Sequence, residues 1–118
     1  MRGRWYVATV LAGALSLPVH AQFEGPSAAA RATTVAQATS SARVGSNVTL
    51  TGNIVESLRE DYFTFKDATG SIRVEISPKD FRGQRVTPTT TVRITGEVER
   101  GFAGRYIDVD LLEVLASN

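Results

Sequence analysis

Residues Phe65–Ile76, FKDATGSIRVEI, read as two strands joined at a tight reversal. Ile72, Val74 and Ile76 alternate with Ser71, Arg73 and Glu75, the period of two that turns one face of a strand toward a core. The reversal itself, Asp67-Ala68-Thr69-Gly70, opens on a carboxylate and closes on a glycine, the residue types that start and end tight turns. Asp67 therefore has two readings. Its carboxylate accepts backbone N–H bonds within the turn, or it stands at the rim of a barrel and helps to hold a cation or an amine.

The same period continues on both sides of the hairpin. VTLTGNIVES (Val48–Ser57) sets Val48, Leu50 and Ile54 on one face, and Gly52 falls on that face, where a missing side chain permits a bend or a close neighbour. YFTFKD (Tyr62–Asp67) and SIRVEI (Ser71–Ile76) follow. SPKDFRGQRVTP (Ser77–Pro88) breaks the pattern with two prolines and a glycine. TVRITGEVE (Thr91–Glu99) turns Val92, Ile94 and Val98 inward with Gly96 among them, and YIDVDLLEVL (Tyr106–Leu115) is the last strand. Five strands with the longest break between the third and fourth point to an all-β domain, a small five-stranded OB-fold Greek-key barrel. An immunoglobulin-type sandwich needs seven strands or more. Ahead of the strands, TTVAQATSSARVG predicts a short N-terminal helix, with Thr34 and Gln37 as a capping box and Gly45 as its terminator.

The start of the chain has a different character. Arg2 and Arg4, the apolar run Trp5–Leu17 and Val19-His20-Ala21 form the three parts of a cleaved secretory signal, residues 1–21. The apolar run is short of the ~20 residues that a spanning helix needs, so no stable membrane insertion is expected after cleavage. Residues 22–33 read as a flexible arm and 34–118 as the OB-fold domain. Cleavage would remove His20, the single histidine, and the chain has no cysteine. Lys plus Arg would fall from 13 to 11 against 12 Asp plus Glu, a net charge of −1.

Those absences exclude classes of chemistry. Ser-His-Asp and Cys-His nucleophiles cannot be built, and zinc and copper lose their usual ligands. No cofactor is expected. A carboxylate-pair hydrolase acting on glycans remains as the enzymatic alternative, and a small domain without a deep cleft counts against it. Single-stranded nucleic acid, the default partner of an isolated OB-fold, wants a positive groove, which a near-neutral chain of mixed charge does not offer.

The strands also resemble a known family. Val48-x-Leu50-x-Gly52-Asn53-Ile54-Val55-Glu56 is similar to the bacterial OB-fold (BOF) family of YgiW/YdeI-type periplasmic stress-tolerance proteins. So are Tyr62-x-x-Phe65-x-Asp67-x-x-Gly70-x-Ile72-x-Val74-x-Ile76, Val92-x-Ile94-x-Gly96-Glu97-Val98 and Ile107-Asp108-Val109. Phe23–Pro26 and the short helix fit as well. Glu99, where the family often carries aspartate, and Phe81, where an aromatic precedes Gly83, depart mildly from the pattern. The resemblance implies a non-enzymatic periplasmic domain serving envelope or stress tolerance, and it suggests a small, cationic ligand; a glycan fragment or an envelope protein is the other kind of partner.

The remaining candidates lie on the last two strands. Tyr106, Asp108 and Asp110 alternate on one face, and Arg93, Glu97 and Glu99 on another. With Lys66, Arg73 and Glu75 these form either cross-strand ion pairs or, through Glu97, Asp108 and Asp110, an acidic patch for cations, polyamines or basic peptides. Between the strands, Arg100–Arg105 reads as a loop beside the usual OB-fold binding face. Phe102 in that loop is an exposed aromatic able to stack on a ligand, with Tyr62 and Tyr106 sharing the work, or else a partly buried plug of one barrel end.

Overall fold

A computed structural model of the protein describes residues 30–117. The elements run β1 (Arg31–Ala32), α1 (Val35–Ser40), β2 (Asn47–Ser57), β3 (Tyr62–Asp67), β4 (Gly70–Ile76), α2 (Pro78–Phe81), β5 (Thr91–Gly101) and β6 (Gly104–Ala116). Alternation makes the barrel. On β2, β4 and β5 every second residue is buried, and the inward set Leu50, Phe65, Ile76, Ile94, Ile107 and Leu112 is fully enclosed. β2 pairs antiparallel with β3, β3 with β4, and β5 with β6. β4 and β6 run parallel, and β5 returns to pair with β2, so the ladder closes on itself as the expected five-stranded OB-fold.

Closure requires strong coiling, and two glycines permit it. A Cβ on Gly96 would lie 2.3 Å from the Asp108 carbonyl oxygen, and one on Gly52 equally close to that of Lys66. Bulges add curvature where Val55 is extra on β2 and Asp110 and Leu115 on β6.

The structure departs from the sequence reading at the ends of elements. The last hairpin is longer than expected: Arg100 pairs with Arg105 and Gly101 with Gly104, leaving only Phe102–Ala103 as the turn. Arg31–Ala32, assigned to the flexible arm, forms a short strand parallel to β2. The capping box of Thr34 and Gln37 is present, but α1 ends at Ser40 with Ser41 as its C-cap. Gly45 is not its terminator; it turns the chain at φ +93° into β2, and its N–H donates to the Val98 carbonyl. Val35 and Ala38 of α1 join the core, and the helix packs on β4. The signal segment and residues 22–29 of the arm lie outside the described residues.

Candidate functional site

Asp67 is built into the scaffold. Its Oδ1 accepts from the Thr69 N–H (2.7 Å) and the Thr69 hydroxyl (2.6 Å), which closes the β3–β4 turn. Its Oδ2 accepts from the Val35 N–H, 2.9 Å away at the start of α1. Thr69 Oγ1 accepts from the Ala36 N–H at 2.9 Å, and Thr34 Oγ1 accepts from the Gln37 N–H at 3.2 Å. The first three N–H groups of α1, unsatisfied in any bare helix, are thus all capped, two of them by a turn some thirty residues on. Burial opposes ionisation of Asp67, yet the hydrogen bonds from Thr69, Val35 and Gly70 outweigh it and hold its carboxyl below the ordinary aspartate value. The turn-forming reading is the one the geometry supports.

The aromatic candidates gather elsewhere. β4 lies between β3 and β6, so its outward Arg73 is flanked by Tyr62 of β3 and Tyr106 of β6. The two rings meet edge to face at 5.8 Å, and the guanidinium carbon sits 5.0 Å from each centroid. This is a double cation–π contact. Arg73 Nε is buried and has no hydrogen-bond partner. Gly101 makes room for it, since a Cβ there would come within 3.0 Å of Arg73 Nη2 and 3.3 Å of Tyr106. Together with Leu58 and Phe102 these residues line an open recess of about 630 Å³. Phe102 is fully exposed at the hairpin tip, so it plugs neither end of the barrel.

The acidic candidates share a neighbouring face. In register across β4, β6 and β5 stand Glu75, Asp108 and Glu97, and the adjacent row is Arg73, Tyr106 and Glu99. Asp110 follows at the bulge. Burial raises the carboxyl of Glu75 above its ordinary value, with Asp108 and Asp61 adding to it and Arg73 opposing. Glu99 is raised by burial and by Glu97, and Asp110 by burial, Asp108 and Asp80. Burial likewise raises the Tyr106 phenol, helped by Tyr62 and the carboxylates of Glu75, Glu99 and Asp108. Of the expected cross-strand ion pairs one forms, between Arg93 and its register partner Glu113, and none engages Glu75, Glu97, Glu99, Asp108 or Asp110. Among the described residues the ion pairs are Arg93–Glu113 at 3.0 Å and Lys79–Asp80 at 3.6 Å. Arg73, expected as a partner for these acids, is taken up by the tyrosines instead.

The structure thus brings Tyr62, Tyr106 and Phe102 into one recess and Glu97, Asp108 and Asp110 onto the face beside it, and it leaves Asp67 apart from both. Arg73, Glu75 and Glu99 complete the arrangement. Sequence reasoning assigned them only to ion pairing, although the alternation over Ser71–Ile76 already turned Arg73 and Glu75 outward. No group of three or more acidic or histidine side chains among the described residues is set to hold a metal ion.

A family model for the bacterial OB-fold (BOF) protein matches residues 15–114. The chain belongs to the BOF family. It is similar to the calcium-regulated OB-fold protein CarO of Pseudomonas aeruginosa, 42% identical over 95 residues that cover 80% of this chain and 81% of CarO. It is also similar to YgiW of Escherichia coli K12, 45% identical over 76 residues, 64% of this chain and 58% of that protein. The solved structure of Escherichia coli YgiW superposes with a TM-score of 0.70 at 44% identity, covering 79% of this chain and 97% of that one. The BOF fold is therefore carried over the whole barrel, including the strands that bear both the recess and the acidic face.

Proposed function

We propose that this BOF protein is an exported, periplasmic binding module that serves envelope stress tolerance, and that the acidic face of β4, β6 and β5 takes a cationic partner. One observation carries the reading. Five carboxylates, Glu75, Glu97, Glu99, Asp108 and Asp110, stand on three adjacent strands, and none is within ion-pair distance of a basic group among the described residues. Like charges in neighbouring cross-strand positions repel one another, so a face of this kind is disfavoured by itself and relieved by bound positive charge. Strands lie about 4.8 Å apart and same-face neighbours about 6.8 Å along a strand. That spreads the charges too widely to converge on one ion and suits an extended polyamine or a basic peptide segment. The CarO relative is named for regulation by calcium, which makes calcium the cation to compare.

The test is a titration of the ¹⁵N-labelled protein with spermidine, with calcium chloride in parallel. Saturable shifts on β4, β5 and β6 with spermidine, lost in the Glu97→Gln/Asp108→Asn variant, are the expected result. Calcium at equal ionic strength should give only a gradual, salt-like drift. If spermidine also produces no saturable shift, the acidic face is not a cation site.

A further inference from the structure

We propose that the recess around Arg73 is a second binding site, one that takes a small zwitterion of the amino-acid type with an apolar side chain. The starting point is the Arg73 guanidinium. Tyr62 and Tyr106 hold it at 5.0 Å from both rings, and Gly101 leaves room for it. Two rings and the neighbouring strand thus confine the group before any ligand arrives. Yet its Nε is buried with no hydrogen-bond partner, and no carboxylate of the described residues lies within ion-pair distance of the group. Buried donors are nearly always satisfied. A guanidinium held between two rings, with no carboxylate partner and its outer Nη groups not enclosed, is the arrangement that receives a carboxylate end-on through two parallel hydrogen bonds.

The walls define the rest of the ligand. Leu58, on the β2–β3 connection, and Phe102, at the β5–β6 tip, are apolar side chains left exposed on either side of the recess, at 38% and 103% of full accessibility. They offer an apolar body something to cover. The rim is acidic: Glu60 lines the recess, Glu75 follows Arg73 on β4, and Glu99 faces Tyr106 across β5 and β6. Such a rim repels phosphate and nucleic acid, whose charge is multiple or repeated, and tolerates a single carboxylate. It also gives an ammonium group its counter-charge. The ammonium contact rests on the acidic-face reading above, whereas the carboxylate contact with Arg73 does not.

The experiment titrates the ¹⁵N-labelled protein with phenylalanine, with phenethylamine (ammonium only), with hydrocinnamate (carboxylate only) and with inorganic phosphate. Phenylalanine should bind saturably, with shifts at Arg73 and over Gly101–Tyr106. Each singly charged analogue should bind roughly tenfold more weakly, the scale of one charge-assisted contact, and phosphate not at all. Arg73→Lys keeps the charge and loses the fork, so it should weaken phenylalanine while leaving phenethylamine unchanged. The spectra report whether the variant is folded. Absence of phenylalanine binding while spermidine still saturates the acidic face overturns this site and leaves the earlier reading standing. Phenethylamine binding as tightly as phenylalanine, unaffected by Arg73→Lys, overturns the carboxylate contact. Arg73-dependent phenylalanine binding without any spermidine binding supports the recess alone.

Discussion

Asp67 illustrates how one carboxylate can join two distant segments. Its two oxygens serve different masters: Oδ1 closes its own turn through Thr69, and Oδ2 caps the Val35 N–H of α1. Replacing an N-terminal capping side chain typically costs about 1 kcal/mol and at most about 2, and here the turn loses a partner as well. Asp67→Ala should therefore lower the unfolding free energy by about 2 kcal/mol in urea denaturation. Thr69→Ala should cost about 1 kcal/mol, and the double variant less than the sum, because the two side chains form one network. Spermidine binding to the folded Asp67→Ala protein should be unchanged, since Asp67 stands apart from the acidic face. A loss of binding with stability intact would restore the ligand role. The turn-forming half of this arrangement was legible in Asp67-Ala68-Thr69-Gly70 itself. The tie to Val35 was not, because nothing local in a sequence says which helix a turn will meet.

Among the strands, alternation settled what local pattern can settle: which residues face the core, and that Gly52 and Gly96 sit where side chains cannot. It did not reveal the parallel pairing of β4 with β6, which sets Arg73 beside Tyr106 and Glu75 beside Asp108. That register joins segments about thirty residues apart and is fixed by barrel closure, so the recess and the full acidic face were beyond reach. The two kinds of glycine in this sheet predict different outcomes. At Gly96 an added Cβ meets backbone, the Asp108 carbonyl at 2.3 Å and the Val109 Cα at 2.8 Å, so β5 and β6 must separate. Gly96→Ala should cost roughly 3 kcal/mol or more, the upper range of overpacking. At Gly101 the Cβ meets side chains rather than backbone, the tip of Arg73 at 3.0 Å and the Tyr106 ring at 3.3 Å. Gly101→Ala should cost less than about 1 kcal/mol and instead shift the NMR signals of the Tyr62–Arg73–Tyr106 stack. Chemical denaturation and side-chain spectra of the two variants check both statements; equal destabilisation would mean that the hairpin is as rigid at its tip as at its centre.

The acidic face and the two partnered carboxylates, Asp67 and Glu113, pull the stability of the whole barrel in opposite directions as pH changes. Glu75, Glu99 and Asp110 have raised carboxyl values, led by burial, so the folded protein binds their protons more tightly than the unfolded chain. Their effect is unfavourable at neutral pH, is relieved as pH falls through the raised values, and is fully relieved below the ordinary carboxylate range. Asp67 and Glu113 behave oppositely. Asp67 is depressed by its hydrogen bonds against the pull of burial, and Glu113 first by its hydrogen bond from Arg93. Their contribution is complete above the ordinary values and is lost as pH falls through the depressed ones. Stability should therefore rise from pH 7 toward a maximum at about pH 4–5 and fall on further acidification. Added salt should stabilise the protein at pH 7 by screening the like charges. The Glu75→Gln/Glu99→Gln variant should melt higher than the parent at pH 7 and show a flatter profile between pH 7 and 5, with the acid limb unchanged because Asp67 and Glu113 still govern it. Thermal melts of both proteins across this range provide the check. A parent whose melting temperature falls steadily from pH 7 to 5 would show that the five carboxylates are screened well enough not to repel, and would remove the electrostatic reason for a cationic partner.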